Sequence, residues 1–352
     1  MKSQSHKTSP CPPRILVALF FTGMLGFLGC QETLPEGKGS LREVVVLADS
    51  TDWSACGDAV EEVFGQTVET PEREPVFALR RGDAAEFGFF RSWQNVFLLA
   101  SLEDGGQTAL LVRSLLSSEV VERIAQGEAH VFFKRDVWAR DQVVGIVAAR
   151  DRLALRRKLV EAQHEIFDTM EAQLNRRMAQ RLYAEGEQTE LSQELFDEFG
   201  WTLRIPAGYA VEKSLPEEGF LWLRKRVPDR WVFVWWGAAP EGGKLSGDWF
   251  RKKRDEIGRR HYEGDVVSQI LSVEETSVAE LPAIRVRGLW ENREKSVGGP
   301  FVSHCFLDRD SGRAYIVDGA VYAPGIRKAS YLRQVDLITR TFSTKNPETK
   351  GR

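Results

Sequence analysis

The chain has 352 residues, of which 42% are hydrophobic, a share that is ordinary for a soluble globular protein. It carries 48 basic and 51 acidic residues, for a net charge of −3. Nucleic-acid binding favours clustered positive charge, so this balance predicts no nucleic-acid partner. The length is more than one hydrophobic core usually serves, which predicts two domains.

The amino-terminal segment has the layout of a bacterial export signal. Basic residues without any acid precede an apolar run over residues 15–28, and the sequence Phe-Leu-Gly-Cys ends at Cys30. A membrane-spanning helix needs roughly 20 apolar residues, so this run is too short to be one. We therefore predict that residues 1–29 are a lipoprotein signal peptide and that Cys30 is acylated and begins the mature chain.

A lipid on Cys30 would anchor the protein on the extracytoplasmic side of the cell envelope. Residue 32 is Glu rather than the Asp that favours inner-membrane retention in many Gram-negative systems. This favours the outer membrane, with the protein facing the periplasm. Residues 30–40 are polar and contain Pro35, Gly37 and Gly39, so we predict a lipidated tether that holds the folded part near the membrane.

Residues 41–185 are predicted to form an amino-terminal α/β domain, because strand and helix patterns alternate there. Hydrophobic patterns predict strands at 43–48, 76–79, 95–100, 109–112, 129–133 and 143–149, and helices at 54–64, 83–90 and 117–125. Residues 151–184 lack Gly and Pro and predict one long helix that bridges to the second domain. A coiled coil is the alternative for this segment, although no clean heptad persists.

Residues 190–345 are predicted to form a carboxyl-terminal α+β domain, followed by a disordered tail at 346–352. Predicted strands lie at 201–206, 220–227, 231–236, 266–273, 283–290, 301–307 and 314–317, and predicted helices at 192–200, at 245–257 and from 325 onward. Consecutive strands with helices near the ends favour a mainly antiparallel sheet with helices on one face. The predicted fold class is α+β, with two mixed domains joined by the long helix.

Metal and thiol chemistry are weakly indicated. Cys56 and Cys305 are interpreted as two separate buried thiols, although a disulfide between the domains is the alternative. His304 precedes Cys305 on a predicted strand, where adjacent side chains point to opposite faces, so the pair is not expected to share a metal. Residues 308–312 are interpreted as a hairpin turn rather than a calcium loop. We predict no metal and no cofactor.

Catalytic motifs are also missing from the sequence. It contains no GxSxG nucleophile and no phosphate-binding glycine loop, so no catalytic residue is predicted. Acidic pairs such as Glu274-Glu275 are expected by chance among 51 acidic residues. The alternative function is an envelope hydrolase that uses carboxylates in a cleft between the domains.

Tryptophan is the residue type that most suggests a binding site. Seven of the ten Trp lie between residues 201 and 290. Trp235 and Trp236 are adjacent on a predicted strand, so one of them leaves the core unless both faces of the sheet are covered. An exposed Trp can stack on a sugar or a peptide, whereas the alternative is a Trp-rich core. The candidate binding residues are Trp235, Trp236, Trp138 and Trp290.

Several motifs together carry a resemblance that extends over nearly the whole mature chain. They lie at residues 34–35, 43–49, 53, 57–58, 74–77, 91–95, 136–139, 142, 205–206, 220–224, 287–290, 298–301 and 322–324. In these the chain resembles a family of bacterial lipoproteins, typical of Bacteroidota, known only as domain of unknown function number forty-eight thirty-seven. The resemblance implies a lipoprotein in two parts and no activity. The second half is also similar to the PsbP and Mog1-like arrangement, by analogy of fold.

These observations predict a lipid-anchored envelope protein that binds a protein or glycan partner without catalysis.

Overall fold

The computed structural model describes residues 34–128, 130–262 and 264–347. The predicted signal peptide, the predicted acylation site Cys30 and most of the predicted tail lie outside these residues. From Leu34 onward the described residues belong to one compact unit, built around two β-sheets. The division into two domains stays a prediction.

The first half of the chain forms a five-stranded sheet and a small two-stranded one. The strands are β1 Glu43–Ala48, β2 Thr67–Glu69, β3 Arg73–Pro75, β4 Ala78–Gly82, β5 Asn95–Ser101, β6 His130–Arg135 and β7 Val143–Ala149. In the larger sheet the order is β4-β1-β5-β7-β6, with parallel pairing except between β6 and β7. Strands β1, β5 and β7 are almost wholly buried, because helices cover both faces of the sheet.

The helices of the first half are α1 Ser50–Phe64, α2 Phe87–Phe90, α3 Gln107–Leu115, α4 Ser118–Ala125, α5 Arg152–Glu161 and α6 Gln163–Tyr183. Side chains of α1, α5 and α6 share one core with the sheet, and those of α2, α3 and α4 share the core on the opposite face. Parallel strands need such crossover connections, and here the connections supply the covering layers.

The second half forms a seven-stranded antiparallel sheet. Its strands are β8 Ala210–Leu215, β9 Phe220–Lys225, β10 Asp229–Ala238, β11 Val266–Val278, β12 Leu281–Asn292, β13 Val297–Asp308 and β14 Arg313–Tyr322. The order is β11-β12-β13-β14-β10-β9-β8. The helices are α7 Thr189–Phe199, α8 Gly247–His261 and α9 Ala329–Thr339. The predicted α+β class, with a mainly antiparallel sheet in the carboxyl-terminal part, is confirmed.

Helices cover both faces of this second sheet, and the prediction of helices on one face is wrong. Helix α8 packs Phe250 and Ile257 on one face. Helices α7 and α9 pack on the other, where Leu195 and Val335 belong to the core. Strands whose side chains are apolar on both faces need two covering layers, since one would leave apolar surface in water.

Three segment predictions differ from the structure in type or continuity, and several others differ in their ends. Residues 109–112 are part of α3 rather than a strand, since Ala109 and Val112 are buried at helical spacing while Leu110 is 61% exposed. Residues 201–206 belong to no strand and make isolated bridges at Thr202 and Pro206. The alternate apolar side chains of this segment are buried in the core without being part of a sheet. The predicted long helix is divided at Ala162, whose φ of −97° and ψ of 8° separate α5 from α6.

Part of the predicted tether is attached to the folded body. The N–H of Arg140 donates to the carbonyl of Pro35 at 2.8 Å, and the N–H of Lys38 donates to the carbonyl of Ser92 at 2.8 Å. The Lys38 carbonyl in turn accepts from Gln94 at 2.8 Å. Backbone pairing therefore fixes residues 35–38 to the folded body, and the tether role of residues 30–40 stays a prediction.

The two halves are joined by a carboxylate of the first half and a helix of the second. Glu74, on β3, is 5% exposed. Its carboxylate accepts from the N–H of Lys328 at 2.6 Å and from the N–H of Ala329 at 3.1 Å. Glu74 thereby caps α9, which has no cap from its own preceding side chain.

Candidate functional site

The candidate site is an aromatic pocket in the second half of the chain. It has a volume of about 480 Å³ and lies where β9, β10, β12 and β14 meet the carboxyl end of α8. Its aromatic walls are Trp222, Trp231, Tyr262, Trp290 and Tyr322. A cavity of this size with aromatic walls and a few polar groups is the usual form of a small-ligand site.

The pocket follows from the register of the antiparallel strands. Trp222 on β9 is paired with Phe233 on β10, so these two side chains lie on one face of the sheet. Trp231 is two residues before Phe233 and lies on the same face, with its ring centroid 6.4 Å from that of Trp222. Trp290 on β12 packs edge-on against Trp231 at 5.3 Å. Tyr262, directly after α8, packs edge-on against Trp222 at 4.6 Å. Edge-to-face packing fixes these rings relative to one another.

Three hydrogen-bond donors on these rings have no acceptor among the described residues. They are Nε1 of Trp222, Nε1 of Trp290 and the hydroxyl of Tyr262, and all three atoms are buried. Burial raises the pKa of Tyr262 well above its ordinary value, so the hydroxyl keeps its proton and can donate. Because buried polar groups are nearly always hydrogen-bonded, three such donors in one pocket indicate a place for acceptor atoms.

The charges of the pocket walls are balanced. Glu212, Asp229 and Asp265 face the bases Lys213, Arg224 and Lys295. Arg224 binds Asp229 through two hydrogen bonds, from Nε at 2.8 Å and from Nη2 at 2.5 Å. Burial lowers the pKa of His261, which also lines the pocket. The walls therefore offer no net attraction to an anion or a cation.

Asp265 is the carboxyl group of this pocket with a raised pKa. Burial raises the pKa, and a hydrogen bond that Asn292 donates at 2.8 Å opposes the shift. The other two carboxylates are bound by arginine, Asp229 by Arg224 and Glu212 by Arg226 at 2.9 Å. Glycoside hydrolysis needs two carboxyl groups in complementary roles. Among the wall residues that the structure describes, Asp265 is the one carboxyl group whose pKa is raised, as a general acid requires.

The structure places the four predicted Trp residues in different surroundings. Trp290 is 3% exposed and lines the pocket. Trp236 is 8% exposed and packs in the core of the opposite face. Trp235 is half-buried under α8, with Nζ of Lys253 5.0 Å from its ring. Trp138 is half-buried in the first half of the chain, where Phe87 packs edge-on at 5.1 Å. The four are not brought together.

Sequence reasoning missed Trp222, Trp231 and Tyr262 as neighbours of Trp290. One sequence signal could have indicated Trp231. Side chains alternate between the two faces along β10, so Trp231 lies on the same face of the sheet as Trp235. The pairing of β12 with the rest of the sheet, which brings Trp290 to the same cavity, has no local signal in the sequence.

The carboxyl edge of the first sheet is a second place where ligands bind in parallel sheets. Asp49, directly after β1, accepts from the N–H of Thr108 at 3.1 Å. Asp52 is 2% exposed and accepts from the N–H of Ser101 at 2.9 Å and from its hydroxyl at 2.5 Å. Burial raises the pKa of Asp52 against these bonds. Both carboxylates are engaged in joining loops, so this edge is not the preferred site.

Most of the charged residues that line the cleft between the halves, where the alternative hydrolase was expected, are arginines. Asp336 lies in it and accepts from Arg285 at 2.5 Å and from Arg340 at 2.9 Å. Burial alone would raise the pKa of Asp336, but the two arginines outweigh it and lower the pKa. A carboxylate that is held ionised in this way cannot donate the proton that a general acid must supply.

The remaining sequence candidates are explained by their places in the sheet. Cys56 and Cys305 are free thiols and both are buried, as the preferred interpretation predicted. Residues 309–312 form the turn between β13 and β14, and Asp308 at the end of β13 accepts from the N–H of Asp310 at 3.0 Å, as expected for a hairpin. Over the described ranges, no group of three or more His, Cys, Asp or Glu side chains is placed to hold a metal ion.

Within the part of the chain that the structure describes, no helix has the length and apolar character needed to span a membrane.

Two models of protein families match the chain, one in each half. Residues 188–341 match a Domain of unknown function (DUF4837), and residues 37–183 match another Domain of unknown function (DUF8532). The expected resemblance to one family over nearly the whole mature chain is therefore divided between two models. No curated protein matches the chain. The chain thus contains two domains of unknown function, in keeping with an uncharacterised family.

Several solved structures show a weak likeness. Cyanobacterial PsbP (CyanoP) from Synechocystis is 11% identical, with 41% of this chain and 85% of that one covered and a TM-score of 0.29. The Ran-binding protein Mog1p of Saccharomyces cerevisiae is 9% identical, with 41% and 90% covered and a TM-score of 0.30. A protein from Bacteroides thetaiotaomicron is 8% identical, with 43% and 47% covered and a TM-score of 0.24. These values are too low to transfer a fold or a function.

Proposed function

We propose that this protein is a lipid-anchored component of the bacterial cell envelope that binds a neutral saccharide in the aromatic pocket and does not catalyse a reaction on it. The observation that carries the proposal is the convergence of three buried ring donors, on Trp222, Trp290 and Tyr262, in a pocket of balanced charge. None of the three has an acceptor in residues 34–128, 130–262 and 264–347.

A saccharide matches the chemistry of these walls. Its hydroxyl oxygens accept hydrogen bonds from indole and phenol donors, and its hydroxyl hydrogens can be donated to Asp265 or Glu212. Its C–H faces pack against aromatic rings, as Trp222 and Tyr322, both half-buried, would allow. Equal numbers of acidic and basic side chains in the walls favour an uncharged ligand over a charged one.

Binding rather than hydrolysis is favoured by the pairing of the carboxylates. Asp229 and Glu212 are each held by arginine, and Asp265 has no second free carboxylate opposite it in the pocket walls that the structure describes. The Asp265→Asn variant separates the two functions. If the protein only binds, this variant should keep most of its affinity for the saccharide. If the protein is a hydrolase, the wild type should hydrolyse the saccharide at a measurable rate and the variant should not.

Anchoring through Cys30 is supported by the export-signal layout and by the resemblance to lipoproteins. Cells that express the protein should incorporate a palmitate analogue into it, and Cys30→Ser should abolish the label and release the protein from membranes. Cys56→Ser is the matched control because Cys56 is a buried free thiol. Label that persists in the Cys30→Ser variant would disprove the acylation.

Ligand binding in the pocket is tested by titration calorimetry with a panel of neutral and charged envelope-derived saccharides. Trp290→Phe and Tyr262→Phe each remove one donor and keep a ring, and each should weaken binding roughly tenfold, the value of about one hydrogen bond that is left unmade. Trp249→Phe is the matched control, since Trp249 packs against Trp235 outside the pocket. Equal affinity in the folded variants and the wild type would exclude this pocket.

A further inference from the structure

The cleft between the halves of the chain has a chemistry that differs from that of the aromatic pocket. It has a volume of about 280 Å³ and lies between α6 and the segment around β2 on one side and α9 and β12 on the other. Four of its wall residues are arginines: Arg285, Arg287, Arg333 and Arg340. Two wall residues, Glu171 and Asp336, are acidic.

The carboxylates near the cleft do not match the arginines one to one. Asp336 is shared, because Nη2 of Arg285 and Nη2 of Arg340 both donate to its Oδ2. Nη2 of Arg333 donates to Glu171 at 2.8 Å. Arg287 donates to Glu274 at 2.5 Å, and Glu274 stands outside the cleft walls. Four guanidinium groups thus share three carboxylates, which leaves one positive charge in excess.

Two donors of this cluster have no acceptor among the described residues. They are Nε of Arg285 and Nε of Arg287, and both atoms are buried. The two residues are separated by one position on β12, so their side chains leave the same face of the sheet. The Nη2 of each arginine is bound to a carboxylate, while its Nε–H has no partner in the described part of the chain.

Arg285 lies among charges of both signs and is partly removed from water. Burial is the main cause that lowers its pKa, Arg287 and Arg340 lower it further, and Asp336 and Glu274 oppose the shift. Burial also lowers the pKa of His304 to about 4, and Arg285 and Arg340 act in the same direction. A group of like charges that is partly removed from water is stabilised by an anion that binds between them.

We propose that this cleft binds a small oxyanion of the phosphate class, which accepts hydrogen bonds from the Nε–H groups of Arg285 and Arg287. A tetrahedral oxyanion has several acceptor oxygens, and guanidinium groups bind such anions in a fixed geometry. The cavity volume limits the ligand to free phosphate or to the phosphate end of a monoester. Because the walls come from both halves, the bound anion would also hold the halves together.

The test uses the purified mature protein and titration calorimetry at constant ionic strength, with chloride as the reference anion. One arm uses inorganic phosphate and the other uses glycerol 3-phosphate. We expect saturable one-to-one binding in at least one arm, and the arm that binds tells free phosphate from a monoester. Arg287→Gln should weaken the binding at least about tenfold. The affinity of Arg287→Lys should lie between that of the wild type and that of Arg287→Gln, because Lys keeps the charge and loses the guanidinium geometry.

Arg287 suits this test because Glu274, the partner that its removal frees, is 43% exposed and can be solvated. Arg293→Gln is the matched control, since Arg293 is 84% exposed and pairs with Glu291 away from the cleft. Trp290→Phe should leave phosphate binding unchanged, because the aromatic pocket is separate. No binding in either arm, or equal binding by the folded Arg287→Gln variant, would overturn the proposal.

Discussion

Arg254 and Asp318 form a buried ion pair that fixes helix α8 to the middle of the second sheet. Nε of Arg254 lies 2.8 Å from Oδ2 of Asp318, and their side chains are 5% and 0% exposed. The hydroxyl of Ser303 donates to the same carboxylate, and the Arg254 guanidinium lies 4.2 Å from the ring centroid of Phe301. Since α8 leads into Tyr262, this pair also positions one wall of the aromatic pocket.

Replacing Asp318 with Asn should destabilise the protein strongly, because a buried guanidinium is left without its counter-charge. We expect the free energy of unfolding in urea to fall by about 3–5 kcal/mol. Asp310→Asn is the control, because Asp310 is exposed in the turn after β13, and it should change the free energy by about 0.5 kcal/mol or less. Similar losses in the two variants would show that the pair does not stabilise the fold.

Replacing Glu74 with Ala should weaken the junction between the halves. The N–H groups of Lys328 and Ala329 lose their acceptor, so we expect a loss of about 1–2 kcal/mol in the free energy of unfolding. Hydrogen exchange should accelerate most in the first turn of α9. Glu72→Ala, at an exposed position two residues earlier, should change neither the free energy of unfolding nor the hydrogen exchange of α9. Unchanged exchange in α9 would contradict the capping role.

His304 should make the protein less stable as the pH falls from 6.5 to about 4. Burial lowers its pKa in the folded state from the ordinary 6.5 to about 4, while Asp336, Arg285 and Arg340 face it. In this window the unfolded chain binds a proton that the folded chain does not, so acidification favours unfolding, by roughly 3 kcal/mol in total.

The measurement is the free energy of urea unfolding at a series of pH values in that window. His304→Gln should flatten the dependence, and His164→Gln, at an exposed position, should leave it as it is. A second measurement applies if the Gln variant does not fold. The imidazole of His304 should then titrate near pH 4 by NMR in the wild type, and a titration near 6.5 would refute the prediction.

Trp236 and Trp235 should differ in their contribution to stability. Trp236 is 8% exposed and packs against Phe199 at 5.0 Å and Trp201 at 5.4 Å, so Trp236→Ala should cost about 3–5 kcal/mol. Trp235 is only half-buried, and Trp235→Ala should cost clearly less. Thermal unfolding of the two variants side by side measures the difference. A larger loss for Trp235 would mean that α8 covers the sheet more tightly than the structure has it.

Local patterns were sufficient for most of the strands and for several helix ends. The run of Val at 44–46 is buried on both sides as expected, and Asp83 accepts from the N–H of Ala85 as a helix cap. Gly200 ends α7 with a φ of 77°, a conformation that Gly adopts without strain. In each case a few neighbouring residues determine the structure.

The site and the junction between the halves could not be predicted in this way. Trp222 and Trp290 meet only because β9 and β12 belong to one sheet, and the strand order depends on the whole chain. The short apolar run at 109–112 suits a strand or a helix equally, and tertiary packing decides for the helix. Similarly, nothing near Glu74 indicates that its partner is a helix at the far end of the chain.

The cap that Glu74 provides joins residues that are 254 and 255 positions apart in the chain. Contacts over such separations form late, because the entropy lost in closing the loop between them must be compensated by other contacts. The amino-terminal half is synthesised first, so the carboxylate of Glu74 has neither of these N–H partners until the segment that forms α9 is present. Helix α9 therefore supplies contacts that both halves of the molecule need. A chain that stopped before residue 328 would lack the hydrogen-bond donors of Glu74 in the first half and the core side chains of α9 in the second.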